Sequence, residues 1–200
     1  MYKIKNGIVI FDDYFNFPLN THHKLLIGKM QKVIFKMRFN QKVDDLPVET
    51  KSISFGICFN QEIDNLPLGL ENLSLGFFFF RKIDYLPPYL KKLSICGIFN
   101  YPIDNLPPSI EILILGYNFN QKIDCLPENL KILIIGFSEE ESKKSDVILN
   151  NGMKLLKHHP ICFEQPLNNL PIGLETLVIF KEYKFLTKLK KMIFYYLILM

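Results

Sequence analysis

A 20-residue pattern, written five times between Phe39 and Phe137, constrains this chain more than any other feature. Each copy opens on a phenylalanine, and each carries a Leu-Pro pair at the same later position, so that the leucines fall at Leu46, Leu66, Leu86, Leu106 and Leu126. A sustained period of this length is typical of stacked repeat proteins, in which one unit cannot bury its own apolar residues and neighbouring units share a core. The pattern therefore predicts a solenoid.

The apolar spacing inside one repeat predicts what each coil contains. Leu70-x-x-Leu73-x-Leu75 matches the strand of a leucine-rich repeat, in which alternate side chains point inward. Leu66-Pro67 predicts a turn before that strand, because proline fixes φ and removes a donor. Gly76 follows the strand, and the same slot holds Gly56, Gly116 and Gly136, so we expect a positive φ at these exits.

Twenty residues are too few for a strand, a crossover helix and two turns. The predicted fold class is therefore a mainly β, leucine-rich-repeat-like solenoid. It has one parallel sheet along one face and short turn or 3₁₀ segments on the return side. We expect buried strand centres at Ile53, Leu73, Leu93, Leu113, Leu133 and Leu177.

The regular repeats divide the chain into five segments. Residues 1–38 are predicted to form an N-terminal cap and a degenerate repeat, opened by an Asn6-Gly7 hairpin. Residues 39–137 hold the five repeats, and 138–162 are predicted to form an enlarged degenerate repeat with the polar loop Ser138–Asp146. Residues 163–182 form a sixth clear repeat. For 183–200, a partial repeat ending in a strand at 189–194 and an amphipathic helix both fit the pattern.

The repeat unit carries a family resemblance. Phe-Asn-x-x-Ile-Asp-x-Leu-Pro followed by Leu-Lys-x-Leu-x-x-Gly resembles the FNIP repeat, a relative of leucine-rich repeats known chiefly from social amoebae and large DNA viruses of amoebae. The resemblance implies a protein-interaction solenoid. Family members that add an N-terminal F-box resemble substrate adaptors of ubiquitin ligases, and residues 1–38 show no F-box-like helical pattern. An adaptor role is therefore kept as the alternative to a plain scaffold.

Two polar columns follow from the repeat. One slot holds asparagine in four repeats and Phe80 in the third, and we expect a structural ladder that satisfies backbone groups. A second slot holds aspartate in all five, for which turn hydrogen bonds to backbone N–H groups are favoured over a Ca²⁺ row, because lysines lie close by. The columns are Asn40, Asn60, Asn100 and Asn120, and Asp44, Asp64, Asp84, Asp104 and Asp124.

Catalytic chemistry is not indicated by the sequence. The histidines occur as the pairs His22-His23 and His158-His159, both expected in irregular surface segments, and adjacent side chains on a strand point apart. We predict no catalytic set, no metal site and no cofactor, and expect a non-enzymatic protein. Cys125 is the expected exposed thiol. The widely spaced cysteines and the lack of a secretory signal favour a reduced, cytoplasmic protein, in the host cytoplasm if the chain is viral.

Charge distribution bears on the class of partner. The formal net charge is +4, and the segment from Lys181 to Met200, with five lysines against Glu182, accounts for all of it. We therefore expect no nucleic-acid surface along the body. Membrane association through that basic segment is a weaker alternative to its use as a charged cap. The predicted partner is another protein of unknown identity, and self-association is left open.

The sheet face offers a candidate binding patch. Residues between the inward leucines face outward, and they are polar in the first three repeats. In the next two they become isoleucines on strands about 4.8 Å apart, which predicts an exposed apolar patch. The alternative is that the Ser138–Asp146 loop or the C-terminal tail covers them. The predicted patch consists of Ile112, Ile114, Ile132 and Ile134, extended by Leu155.

Overall fold

The computed structural model of the chain describes residues 1–137, 163–179 and 197–199. Within these ranges there are ten strands and one helix. In chain order they are β1 (Tyr2–Lys5), β2 (Ile8–Phe11), α1 (Thr21–Met30), β3 (Lys32–Phe35), β4 (Ser52–Phe55), β5 (Asn72–Leu75), β6 (Lys92–Ile95), β7 (Ile112–Gly116), β8 (Ile132–Phe137), β9 (Thr176–Ile179) and β10 (Leu197–Leu199).

All ten strands form one sheet in sequence order, parallel throughout except for the antiparallel β1–β2 hairpin. Between β4 and β8 the pairing joins residues one repeat apart, so that Leu73 lies between Ile53 and Leu93. The six predicted strand centres are all on strands, and each is at most 1% exposed. The predicted parallel-sheet solenoid is confirmed.

Turns form the return side of each coil. The backbone N–H of Leu70 donates to the carbonyl of Pro67 at 3.0 Å, which closes a four-residue turn that delivers the chain to the next strand. The equivalent bond recurs from Thr50, Leu90, Ile110, Leu130 and Leu174. The described residues contain turns here and no 3₁₀ helix.

Buried phenylalanines form a continuous spine inside the stack. The rings of Phe59 and Phe79 lie 6.4 Å apart between centroids at an angle of 4°, an offset-stacked geometry that aromatic pairs favour. Neighbouring rings along the spine are 5.9–6.4 Å apart. The opening phenylalanine of each repeat therefore fixes the interior of every coil. The spine consists of Phe15, Phe39, Phe59, Phe79, Phe99, Phe119 and Phe163.

The N-terminal segment begins as expected and then departs from the prediction. Asn6 and Gly7 have φ of 50° and 73°, as the Asn-Gly hairpin requires. His22 and His23 were expected in an irregular segment, which is wrong, because both lie in α1. The Asn20 side chain accepts from the His23 backbone N–H at 3.0 Å, and the Asn20 N–H donates to His23 Nδ1 at 3.4 Å. This capping box starts the helix.

The glycines that follow the strands are explained by close packing more than by φ. Of the four predicted positive φ values only that of Gly136, 94°, is found. Gly56, Gly76 and Gly116 instead lie so close to the preceding coil that a Cβ would meet its backbone at 2.2–2.5 Å. The prediction is therefore wrong for these three positions, where glycine is required because there is no room for a Cβ atom.

The coil that opens at Phe163 stacks directly on the coil that opens at Phe119. Strand β9 pairs with β8, and the two phenylalanine rings are 6.2 Å apart. Residues 138–162, predicted as an enlarged repeat between these coils, lie outside the described residues. Strand β10 pairs with β9. Residues 183–196, where the partial strand and the alternative amphipathic helix are predicted, also fall outside the described residues.

Thr50 is the exception in an otherwise apolar core column. The equivalent residues are leucine or isoleucine, and Thr50 is 0% exposed with no hydrogen-bond partner for its Oγ1. A buried hydroxyl without a partner costs about 1–3 kcal/mol. We expect Thr50→Val, which keeps the shape, to raise the free energy of unfolding by about 1 kcal/mol in denaturant titration. An unchanged or lower value would mean that the hydroxyl is satisfied.

Candidate functional site

The isoleucines of the sheet face lie together but are not free. Ile112 pairs with Ile132, and Ile114 with Ile134, which in turn faces Val178 of β9. Ile114, Ile134 and Val178 are 8%, 5% and 1% exposed, and they form a small hydrophobic cluster of their own. The predicted exposed patch is therefore wrong for its two central members, because burying apolar surface is favourable and this face is sequestered.

Ile112 and Ile132 are partly buried against that cluster. Leu155, predicted to extend the patch, lies outside the described residues, as does the Ser138–Asp146 loop. The C-terminal tail is described only at β10.

The asparagine column links successive coils. Asn40 Oδ1 accepts from the backbone N–H of Asn60 at 2.9 Å, and Asn100 Oδ1 accepts from that of Asn120 at 2.8 Å. The ladder begins before the regular repeats, where Asn16 Oδ1 accepts from the Asn40 N–H. Its last described bond runs from the Glu164 N–H to Asn120 Oδ1. Each amide thus satisfies a backbone donor of the next coil.

Glutamines beside this column form a second ladder that the sequence reasoning missed. Gln61 Nε2 donates to both the carbonyl and the Oδ1 of Asn40, at 3.2 and 3.0 Å. Gln121 repeats the arrangement on Asn100, and Gln41 on Asn16. The Phe-Asn-Gln triplet was the available signal, since glutamine recurs one residue after the asparagine.

Both ladders are altered in the third repeat, where Phe80-Arg81 replaces Asn-Gln. The Phe80 N–H still donates to Asn60 Oδ1 at 3.1 Å, and Arg81 Nε donates to the Asn60 carbonyl at 3.2 Å. The phenyl ring offers no acceptor for the next coil. The guanidinium of Arg81 lies 5.8 Å from the centroid of the Phe80 ring, a cation–π distance.

Phenylalanines surround this alteration and form an aromatic patch, defined here as Phe77, Phe78, Phe80 and Arg81. Phe78 and Phe80 are 46% and 45% exposed, and Phe77 packs on Phe78 with ring centroids 5.0 Å apart. Phe79, between the two exposed rings, belongs to the buried spine. Large exposed aromatic surface of this kind commonly marks a contact site.

The aspartate column is solvent-exposed throughout. Of the five members of this column, all of which the structure describes, only Asp44 receives a hydrogen bond, from Asn65 Nδ2 at 3.4 Å. The expected bonds from turn N–H groups are not formed, so that interpretation is wrong, because the turns close through backbone carbonyls instead. The described residues also contain no cluster of three metal-ligating side chains.

Lysine and glutamate alternate along one edge of the stack, in the slot just before each strand. We call this column the charge ladder; it consists of Lys51, Glu71, Lys91, Glu111, Lys131 and Glu175. Lys91 Nζ lies 3.1 Å from Glu71 Oε2, and Lys131 Nζ lies 2.7 Å from Glu111 Oε2. Sequence reasoning missed it, although the 20-residue alternation of charge was the signal.

Hydrogen bonds within the ladder shift the pKa values of three of its side chains. The hydrogen bond from Lys91, followed by its charge, lowers the pKa of Glu71. In the same way Lys131 lowers the pKa of Glu111, and Glu111 raises the pKa of Lys131. These shifts favour the charged forms of Glu71, Glu111 and Lys131.

A groove of about 470 Å³ runs along the charge ladder. Its other wall is the column Gly69, Tyr89, Ser109 and Asn129. Tyr89 is 66% exposed and stands between two small residues. The groove is open, charged and several coils long, so it can accept a second surface whose charges are complementary to its own.

The cysteines and histidines considered in the sequence analysis do not form a catalytic or metal-binding group among the described residues. Cys125 is exposed, as expected, and Cys58 is half-buried. His158 and His159 fall outside the described residues. Among the described helices none has the length and apolarity to cross a bilayer.

Comparisons with known proteins agree with this architecture. Residues 99–138 match the family model of the FNIP Repeat. The fold is similar to that of CroV588, a giant-virus protein whose crystal structure is described as a novel circular LRR protein structure. The TM-score is 0.59 at 26% sequence identity, over 91% of this chain and 28% of that one.

The chain thus spans only 28% of CroV588, and no curated protein matches it. The stacked parallel strands, the phenylalanine spine and the matched repeat nevertheless agree. The chain carries an FNIP repeat and folds as a leucine-rich-repeat-like, parallel-sheet solenoid.

Proposed function

We propose that this chain is a non-enzymatic scaffold that binds another protein through the aromatic patch of its third repeat. The solenoid supports the general role, because stacked repeats present extended surfaces to partners. FNIP and leucine-rich-type repeats favour protein binding as a class. The aromatic patch supports the specific surface.

The observation that carries this proposal is the replacement of Asn-Gln by Phe80-Arg81. The other ladder asparagines satisfy a backbone donor of the next coil, whereas the Phe80 ring leaves the Asn100 N–H without that acceptor. A local structural rule broken beside two exposed phenylalanines is expected where function outweighs stability.

The composition of the patch indicates the chemistry of the partner. Aromatic residues and arginine are the types most enriched among residues that dominate binding energy. Arg81 gives one donor to Asn60, and no described carboxylate forms a salt bridge with it. Its remaining N–H groups suit a carboxylate, so the partner presents an acidic side chain beside an apolar one.

The double substitution Phe80→Asn, Arg81→Gln tests the proposal, because it introduces the Phe-Asn-Gln triplet of the second and fifth repeats. The new amide supplies the missing acceptor to Asn100, so we expect the free energy of unfolding to rise by about 0.5–1.5 kcal/mol. Partner recovery from amoebal cell lysate, measured by quantitative mass spectrometry, should fall about tenfold or more.

Tyr85→Ser is the matched control, since Tyr85 is 71% exposed in a turn of the same coil. It should keep every partner. Unchanged recovery with the double variant would refute the patch as the binding surface. Ubiquitin-ligase subunits among the proteins that depend on the patch would extend the scaffold to an adaptor role, and their absence would favour the plain scaffold.

A further inference from the structure

The charge ladder is complementary to itself when it is turned end over end. Its signs alternate from coil to coil, so a two-fold axis placed between two neighbouring coils sets the lysines nearest the axis opposite glutamates of a second copy. When the axis lies between the coils of Glu71 and Lys91, Glu71 of each copy faces Lys91 of the other copy. Lys51 then faces Glu111 of the second copy. An isologous interface requires this kind of self-complementary surface.

The opposite wall of the groove fits the same axis. Its column reads Gly69, Tyr89, Ser109 and Asn129, and the axis sets Tyr89 of one copy against Gly69 of the other. The exposed ring, 66% accessible, thus meets the one position of that wall without a side chain. An axis one coil further along also pairs unlike charges, but it sets Tyr89 against Ser109.

Apolar residues beside the groove favour the first axis as well. Val48 and Leu68, directly after the Leu-Pro pairs, are 74% and 71% exposed, and the same slot in the next two coils holds the exposed Pro88 and Pro108. The first axis sets Val48 opposite Pro108 and Leu68 opposite Pro88, so that apolar surface covers apolar surface. The second axis would set Leu68 opposite Glu128.

We propose that two copies of this chain associate antiparallel through the charge-ladder groove, with the two-fold axis between the coils of Glu71 and Lys91. Each ammonium has three donors and each carboxylate can accept from more than one, so the ladder's internal ion pairs persist while new ones form across the axis. The aromatic patch is not part of this interface. Exposed ion pairs are individually weak and are screened by salt.

The association of the full chain is measured by sedimentation velocity over a range of protein concentrations, in reductant so that Cys125 stays unlinked. We expect a reversible dimer whose dissociation constant rises about tenfold or more between 0.05 and 0.5 M NaCl. A monomer at every concentration up to about 0.1 mM would overturn the proposal.

Charge swaps distinguish pairing from misfolding. The variant Lys51→Glu, Lys91→Glu, Lys131→Glu and the variant Glu71→Lys, Glu111→Lys each place like charges across the axis, so each alone should be monomeric. Mixed together at low salt they should form a heterodimer. Circular dichroism shows whether each variant is folded, and two folded variants that fail to associate when mixed would refute the ladder as the interface.

A size swap tests the position of the axis. Gly69→Tyr should abolish the dimer, since it sets two tyrosines against each other, while Gly69→Tyr with Tyr89→Gly should restore it. Gly69 has no positive φ, and a Cβ there meets only the flexible end of Lys51 at 3.2 Å and the Val48 carbonyl at 3.6 Å. An undiminished dimer with the single variant, or no recovery with the folded double variant, would reject this axis.

Discussion

Phe79→Ala should lower the free energy of unfolding by about 3–5 kcal/mol, the usual cost of emptying a buried phenylalanine site. Phe79 is 0% exposed, and its ring stacks between those of Phe59 and Phe99 at 6.4 and 6.3 Å. Its removal opens a gap in the middle of the spine, which neighbouring coils cannot fill because the backbone stack fixes their spacing. Denaturant titration followed by circular dichroism measures the loss.

Phe80→Ala is the matched control for this prediction. It removes the same side chain from the next residue, but the Phe80 ring is 45% exposed and lies 5.8 Å from the Arg81 guanidinium. We expect a change of about 0.5 kcal/mol or less, as for most surface substitutions. Equal losses for the two variants would mean that the spine does not carry the stability of the stack.

The contrast between these neighbours shows what the repeat pattern predicts well. Within the five regular repeats, the opening phenylalanines and the strand centres from Ile53 to Leu133 could be assigned from the 20-residue period, because a side chain that recurs in each coil meets its own equivalents above and below. Stacking alone then decides burial. Leu73 lies between Ile53 and Leu93 for this reason, and no long-range information is needed to place it.

Features that depend on one coil meeting another were predicted less well. The isoleucines at 114 and 134 follow the outward pattern, yet they are buried, and no local period reports what covers a sheet face. The helix α1, which begins at the capping box of Asn20 and His23, was not predicted, because a degenerate repeat was expected in this segment. The charge ladder involves residues 20 apart, which only the stacked geometry turns into neighbours.

The candidate site likewise contains some residues that the repeat pattern could predict and others that it could not. The aromatic patch could be partly anticipated, since Phe80 visibly interrupts the asparagine column. The sequence alone does not decide whether the ring is exposed, because an aromatic side chain fits both the protein surface and the spine beside Phe79. The groove wall was not foreseen at all, because a glycine, a tyrosine and a serine in one slot give no apolar or polar pattern.

Gly76→Ala should destabilise the solenoid severely, by about 3 kcal/mol or more, although it adds a single methyl group. The new Cβ would lie 2.2 Å from the Gly56 carbonyl oxygen and 2.5 Å from its carbon, far inside van der Waals contact. Extra volume in a well-packed site usually costs about 1–3 kcal/mol. The cost here exceeds that range because the obstacle is backbone of the adjacent coil, which can move only if β4 and β5 separate.

Gly173→Ala is the control that isolates this effect. A Cβ at Gly173 would meet only the Glu128 carbonyl, at 3.7 Å, and its φ is not positive. The added methyl reduces the freedom of the unfolded chain, so we expect no loss and up to about 1 kcal/mol of gain. If Gly76→Ala unfolds at the same denaturant concentration as Gly173→Ala, the coils are not held at backbone contact, and glycine in this slot has another cause.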